Sequence, residues 1–139
     1  MRIAIINGPN LNLIGTRETD IYGGESFEHF FEKMRKKYDH VDFDYFQSNV
    51  EGELINEIQS ASLNMDGIIL NAGAYTHTSI AIGDAVAAIK IPVVEVHISN
   101  IEAREEFRKY SHISAKCAGT IFGFGLKGYL LGVEAFLNK

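Results

Sequence analysis

Glu95 and His97 stand two positions apart at the end of the run Pro92-Val93-Val94-Glu95-Val96-His97. Residues i and i+2 of an extended strand share a face, so this spacing sets a carboxylate beside an imidazole. Such a carboxylate holds the imidazole's tautomer and raises its basicity, which makes His97 a candidate general acid. Two other apolar runs also stop at polar residues. One ends at Asn7-Gly8-Pro9-Asn10, the other at Asn71-Ala72-Gly73-Ala74-Tyr75-Thr76-His77-Thr78-Ser79. Ser99 followed by Glu102 matches the S-x-x-E capping box. A helix starting there would place free N–H groups directly after His97, where they form an anion site. Arg104 and Arg108, four apart, would share a face of that helix. With Arg17 they describe a cationic site around a small anion, and a carboxylate suits arginine's bidentate geometry.

Residues 8 to 24 add a second kind of signal. Connections between regular elements usually take about 2–6 residues, and much longer ones are usually lids or binding loops. This one has glycine at both ends and carries a cation, Arg17, and a phenol, Tyr22. That composition predicts a mobile active-site cover. With Tyr22, His77 and His97 as candidates, the expected chemistry is proton transfer.

The elements that must position these groups follow from periodicity. Ile3 to Ile6 is a continuous apolar run, typical of a strand covered on both faces. Phe27, Phe30, Phe31, Met34 and Tyr38 follow helical spacing, as do Leu54, Ile55, Ile58, Ala61 and Met65. Val41, Phe43 and Tyr45 alternate with Asp42 and Asp44, which predicts a half-exposed edge strand. Ile68-Ile69-Leu70 is a short buried strand. Residues 79 to 89 predict an apolar helix, and 92 to 97 a fourth strand. A charged helix is expected over roughly 100 to 109, a brief fifth strand at 120 to 122, and a last helix over 126 to 137.

This alternation predicts an α/β fold, a single catalytic domain over 1–139 with a five-stranded parallel sheet in the flavodoxin-like order 2-1-3-4-5 between helical layers. Ligands in such sheets bind beyond the carboxyl ends of the strands, near the switch point between strands 1 and 3. The polar residues concentrate at those ends. Singly, each has a plainer use: turn geometry for Asn, helix caps for Ser and Thr, a satisfied core position for His, a surface ion pair with Glu105 or Asp44 for the arginines. Arriving together at one crevice, they read as a site.

Bulk properties narrow the function further. The 139 residues carry a formal charge of −5, so there is no basic footprint for nucleic acid. One cysteine, Cys117, gives no intrachain disulfide. No apolar run approaches a membrane span. The first apolar run ends at Asn7-Gly8-Pro9, too short for a typical signal peptide, so a cytoplasmic protein without a membrane partner is expected. Gly123-Phe124-Gly125-Leu126-Lys127-Gly128 matches G-x-G-x-x-G, but no second strand with an acidic residue follows, as a dinucleotide site requires. These glycines are read as close helix–sheet packing. Lys90 and Cys117 fall at the wrong end of the sheet for nucleophilic catalysis, Lys127 lies in the last helix, and no G-x-S-x-G elbow occurs.

At this level of detail the chain resembles the type II 3-dehydroquinate dehydratases. The resemblance rests on Asn7-Gly8-Pro9-Asn10-Leu11-Asn12, Arg17-Glu18 with Ile21-Tyr22-Gly23, Gln47-Ser48-Asn49 with Glu51-Gly52-Glu53-Leu54, Asn71-Ala72-Gly73 with Thr76-His77-Thr78-Ser79, and Glu95-Val96-His97-Ile98-Ser99-Asn100 through Arg104-Glu105-Glu106-Phe107-Arg108. It covers essentially the whole chain. It implies dehydration of 3-dehydroquinate to 3-dehydroshikimate, a step of chorismate and aromatic amino acid biosynthesis (the shikimate pathway), by anti elimination through an enolate, without a cofactor. It also implies a dodecamer built from four trimers. Carried over by position, Tyr22 is the base and Arg17 favours its tyrosinate. His97 is the acid with Glu95 as its partner, and Asn10 holds a water on the enolate. Asn71, Gly73, His77, Ile98, Ser99 and Arg108 bind the substrate, with the amides of Ile98 and Ser99 on its carboxylate. Arg104 supports the lid, and Asp84, otherwise a solvated helix charge, reaches a neighbouring subunit's site. Two positions depart from the family's usual pattern. Thr19 replaces a proline after the Arg-Glu pair, and Val50 a histidine after Ser-Asn. Two other readings remain open at this stage. One is a noncatalytic flavodoxin-like binding module, and the other a metallohydrolase using His77, Glu95 and His97.

Overall fold

Continuous apolar strands need cover on both faces, and the chain supplies it with two pairs of helices. The computed structural model describes residues 1–16, 20 and 24–138. Within them β1 (Arg2–Asn7), β2 (Asp42–Gln47), β3 (Gly67–Asn71), β4 (Val93–His97) and β5 (Gly119–Phe122) form one parallel sheet in the order 2-1-3-4-5. Four helices cover it: α1 (Phe27–Lys37), α2 (Glu51–Ala61), α3 (Ile80–Ala88) and α4 (Lys127–Leu137). Ile3, Ile5, Ile69, Val94 and Val96 face the layer that holds Phe27, Met34, Val133 and Phe136 of α1 and α4. The alternate residues Ala4, Ile6, Ile68, Leu70 and Val93 face Leu54, Ile58, Ile82 and Val86 of α2 and α3. The period of two along each strand thus feeds two cores. Burying each such Leu, Ile or Phe contributes about 1.5–3 kcal/mol.

The register brings the site residues level. Asn7 lies opposite Asn71 across β1 and β3, and Leu70 lies opposite Glu95 across β3 and β4. Ser26 and Ser79 cap α1 and α3 through the N–H groups of His29 and Ile82. Helix α4 lies flat on the sheet because it presents glycines to it. A Cβ at Gly128 would sit 3.2 Å from Val96 Cγ1, and one at Gly132 3.1 Å from Ile69 Cδ1.

Three expectations need correction. The charged segment after β4 is not one α-helix but two 3-10 turns, Ile101–Ala103 and Glu106–Lys109, separated by extended backbone at Arg104 and Glu105. Only Ile101 of this segment is buried, while Phe107 is 61% exposed. With no apolar stripe to bury, a continuous helix has little to stabilise it. The capping box therefore fails as well: the Asn100 side chain, not Ser99, accepts the Glu102 N–H. Of the G-x-G-x-x-G glycines, only Gly128 packs helix against sheet. Gly123 and Gly125 take left-handed turns at φ +92° and +61°. Their N–H groups donate to the His97 and Ile98 carbonyls at 3.3 and 2.9 Å, tying down the end of β4.

Within residues 8–16, the first half of the long connection, Gly8, Leu11 and Ile14 are buried while Asn10, Asn12, Leu13 and Thr16 are exposed. Leu11–Leu13 form a 3-10 turn, and Leu11 and Ile14 are buried in the core shared by α1 and α4. Arg17, Thr19 and Tyr22 lie outside the described residues. No helix among the described residues is long and apolar enough to cross a membrane.

Candidate active site

The crevice opens beyond the carboxyl ends of β1, β3 and β4, at the switch point of the sheet. Pro9, Asn10, Asn71, Gly73, His77, His97, Ile98, Ser99, Arg104 and Arg108 all line it, together with Leu11, Ile14, Ala74 and Ile101. Strand ends that are far apart in sequence converge there because β1 lies between β2 and β3 in the sheet.

Glu95 and His97 form the expected pair. His97 Nε2 donates to Glu95 Oε1 at 2.7 Å, and both side chains are almost completely buried. Thr76 Oγ1 also donates to Glu95 Oε1. Ser111 Oγ reaches the same oxygen at 3.3 Å, and Thr120 Oγ1 reaches Oε2 at 3.4 Å. Burial is the largest single influence on Glu95 and opposes its ionisation. The hydrogen bonds from His97, Thr76 and Ser111 together outweigh it and hold the carboxyl below its usual range. An ionised Glu95 fixes the proton of His97 on Nε2 and leaves Nδ1 for the crevice.

His77 faces His97 with its ring 6.3 Å away and tilted by 20°. Its Nδ1 donates to the Tyr110 carbonyl at 2.8 Å. Burial first, then the neighbouring His97 and Arg108, lowers its pKa against the opposing pull of Tyr110. His77 is thus held neutral, with Nε2 as an acceptor for a ligand hydroxyl.

The cationic side of the crevice comes from the two 3-10 turns. Arg104 donates to Ser99 Oγ at 3.3 Å. Arg108 Nε pairs with Glu105 Oε2 at 2.5 Å, and Arg104 Nε lies 4.0 Å from the same oxygen. The ion pair with Glu105 is therefore tighter for Arg108 than for Arg104. Glu105's own backbone N–H and then Arg108 hold its carboxyl below the usual range. Both arginines line the crevice without an α-helix to align them.

On the opposite wall, Asn10 adopts a left-handed φ of 68°, and its N–H donates to Asn49 Oδ1 at 3.0 Å. Gly73 has φ +60°, a conformation that strains any side chain, and its N–H donates to Asn71 Oδ1 at 3.1 Å. Asp84 is exposed on α3 and is not among the crevice residues. Among the described residues no group of three His, Cys, Asp or Glu side chains is arranged to hold a metal ion. Glu95 Oε1 is shared by His97, Thr76 and Ser111.

Sequence reasoning missed Thr76, Ser111 and Tyr129. The hydroxyls of Thr76 and Ser111 are aimed at a buried carboxylate, and no local pattern announces that. Tyr129 left a faint signal, as a hydroxyl-bearing residue on the apolar face of the last helix. Cys117 is inert, its thiol pushed up to about 12 by burial and by nearby Glu95.

A doubly wound parallel sheet with a histidine–carboxylate pair and two arginines over its switch point defines an α/β protein of flavodoxin-like topology with a cationic crevice at its strand ends. The family model described as "Dehydroquinase class II" matches residues 1–137, and the chain belongs to that family. It is 53% identical over 137 residues to a 3-dehydroquinate dehydratase of Caldicellulosiruptor saccharolyticus, covering 96% of this chain and 94% of that one. A protein of the same name from Fusobacterium nucleatum is 54% identical over 138 residues, covering 96% and 94%. The crystal structure of the type II dehydroquinase from Butyrivibrio crossotus superposes with a TM-score of 0.95 at 47% identity, covering 100% of this chain and 98% of that one.

Proposed function

We propose that this protein dehydrates 3-dehydroquinate to 3-dehydroshikimate without a cofactor. The reading is supported by the family, by the names of relatives that share half its residues, and above all by the His97–Glu95 pair set in a cationic crevice. In this reading Tyr22, made tyrosinate by Arg17, removes a proton α to the ketone. The electron pair moves onto the carbonyl oxygen as an enolate, which a water held by Asn10 stabilises. The enolate then collapses and the C–O bond breaks on the opposite face, as His97 protonates the departing hydroxyl to water.

That last step needs His97 protonated on both nitrogens, since Nε2–H is committed to Glu95. Glu95, kept ionised against burial by its bonds from His97, Thr76 and Ser111, orients the ring for that step. Arg108 and the amides of Ile98 and Ser99 take the substrate carboxylate. Asn71, Gly73 and His77 meet its hydroxyls. Arg104 supports lid closure, and Asp84 enters from a neighbouring subunit of a dodecamer. A cytoplasmic location fits the same reading.

The test is direct. Purified protein mixed with 3-dehydroquinate should generate an enone absorbing in the near ultraviolet, at a rate unchanged by a chelator. Tyr22→Phe should abolish turnover while leaving ligand binding measurable. Full activity in that variant would falsify the mechanism, and loss of activity with the chelator would return the metallohydrolase reading.

A further inference from the structure

Tyr129 does not line the crevice, yet it is completely buried and its hydroxyl sits beneath the switch point. Its Oη accepts from Asn71 Nδ2 at 2.9 Å and donates to Asn7 Oδ1 at 2.7 Å. These bonds form a chain with one direction. The Gly73 N–H can only donate, so it fixes Oδ1 as the near atom of the Asn71 amide. Nδ2 is then the atom turned to Tyr129, and the tyrosine's single proton must go to Asn7. Burial above all drives the Tyr129 pKa upward, so the hydroxyl keeps that proton.

An amide has two N–H groups. With one given to Tyr129 and the carbonyl oxygen given to Gly73, Asn71 has a single N–H left, and Asn71 lines the crevice. We infer that Tyr129 is a positioning residue: together with the Gly73 N–H it holds the Asn71 amide so that an N–H donor, not the carbonyl, meets a ligand. The glycines of α4 make this possible. Gly128 and Gly132 let the helix approach Val96 and Ile69 closely enough for a tyrosine hydroxyl to reach the strand ends. The ligand feature selected is an acceptor, a hydroxyl or carbonyl oxygen, at the β1–β3 side of the crevice. This inference rests on the proposed dehydratase reading for its kinetic test and on the geometry alone for its structural one.

The experiment is a double-mutant cycle between Tyr129→Phe and Asn71→Ala, with steady-state kinetics on 3-dehydroquinate. Tyr129→Phe should raise KM roughly threefold to tenfold, the equivalent of one neutral hydrogen bond, with a much smaller change in kcat. In the Asn71→Ala background it should change KM no further. Val133→Ala, a core change on the same helix, should lower Tm without moving KM. An unchanged KM in Tyr129→Phe, or an equal rise in both backgrounds, overturns the inference. Should Tyr129→Phe fail to fold, Asn7→Leu keeps the ring and removes the acceptor of its proton. The hydroxyl is then left with the Asn71 amide, whose Oδ1 the Gly73 N–H already holds, and that conflict should loosen the amide and raise KM. An unmoved KM there counts against the inference. Should the wild type not act on 3-dehydroquinate, the functional reading falls, and crystal structures of wild type and Tyr129→Phe decide this inference. In the variant Nδ2 loses its acceptor, so the Asn71 amide is expected to shift or disorder about its Gly73 bond, and an amide as well ordered and placed as in wild type overturns the inference.

Discussion

Against burial, the ionisation of Glu95 is decided by His97 first and then by the hydroxyls of Thr76 and Ser111. Burial alone would keep it neutral, and its donors reverse that balance. Replacing Thr76 by Val removes one donor and keeps the shape. The Glu95 pKa should then rise, and the acid limb of the kcat/KM profile should move to higher pH by roughly one unit or less. A profile superimposable on wild type would mean that Glu95 does not govern the acid group. His97→Ala should lower kcat by about 10²–10⁴-fold, the usual worth of a positioned acid. Stability follows the same two groups. Glu95, lowered in the folded state, contributes stability that is present above the ordinary carboxylate range and lost as pH falls through its lowered value. His77 is also lowered, so protonating it opposes folding, and stability falls as pH drops below the ordinary imidazole value. Tm should therefore decline from neutral to acid pH. His77→Gln should flatten the upper part of that decline, where the imidazole titrates, and leave the lower part in place.

Helix α3 packs against the segment that carries Ser111. A Cβ at Gly83 would stand 2.4 Å from the His112 carbonyl oxygen, and the His112 N–H itself donates to Thr76 O at 2.8 Å. Gly83→Ala gains about 1 kcal/mol in helix propensity but drives a methyl into backbone. The net effect should be a loss of roughly 1–3 kcal/mol, measured by urea unfolding, with weakened activity as Ser111 is displaced from Glu95. The elements themselves were largely legible. The strands declared themselves because burial on both faces demands unbroken runs such as Ile3 to Ile6, and their ends were marked by Asn7, Asn71 and His97. The segment from 100 to 109 was not legible as it folds. Its capping box and charge spacing are local signals, whereas Ile101 alone finds a core to enter, and tertiary burial decides whether a short helix forms. The crevice arginines were found all the same, since proximity in sequence to the end of β4 sufficed.

At the scale of the whole molecule the hydroxyl chain and the crevice join residues from both ends of the fold. Exposed apolar side chains, Ile80 at 64%, Phe107 at 61% and Tyr110 at 63%, lie near the helix that carries Asp84 or near the crevice rim. They fit the proposed assembly, in which Asp84 serves a neighbour. Asp84→Ala and His97→Ala should each impair activity. Co-refolding the two variants should restore about a quarter of the sites, since a site then draws His97 and Asp84 from different intact chains. A mixture as inactive as its parts would place Asp84 outside the site.

The hydrogen bond between Tyr129 and Asn7 spans 122 positions. Its consequence lies in the timing of synthesis. Chains emerge and begin to fold from the N-terminus, so the five strands can pair before α4 is available to cover them. Until that helix docks, Asn7 and Asn71 lack their common partner, although the Gly8 N–H on Asn71 O already joins the ends of β1 and β3. The sheet can thus form first, and the Asn71 amide gains its full set of partners only when α4 closes the loop from Asn7 to Tyr129.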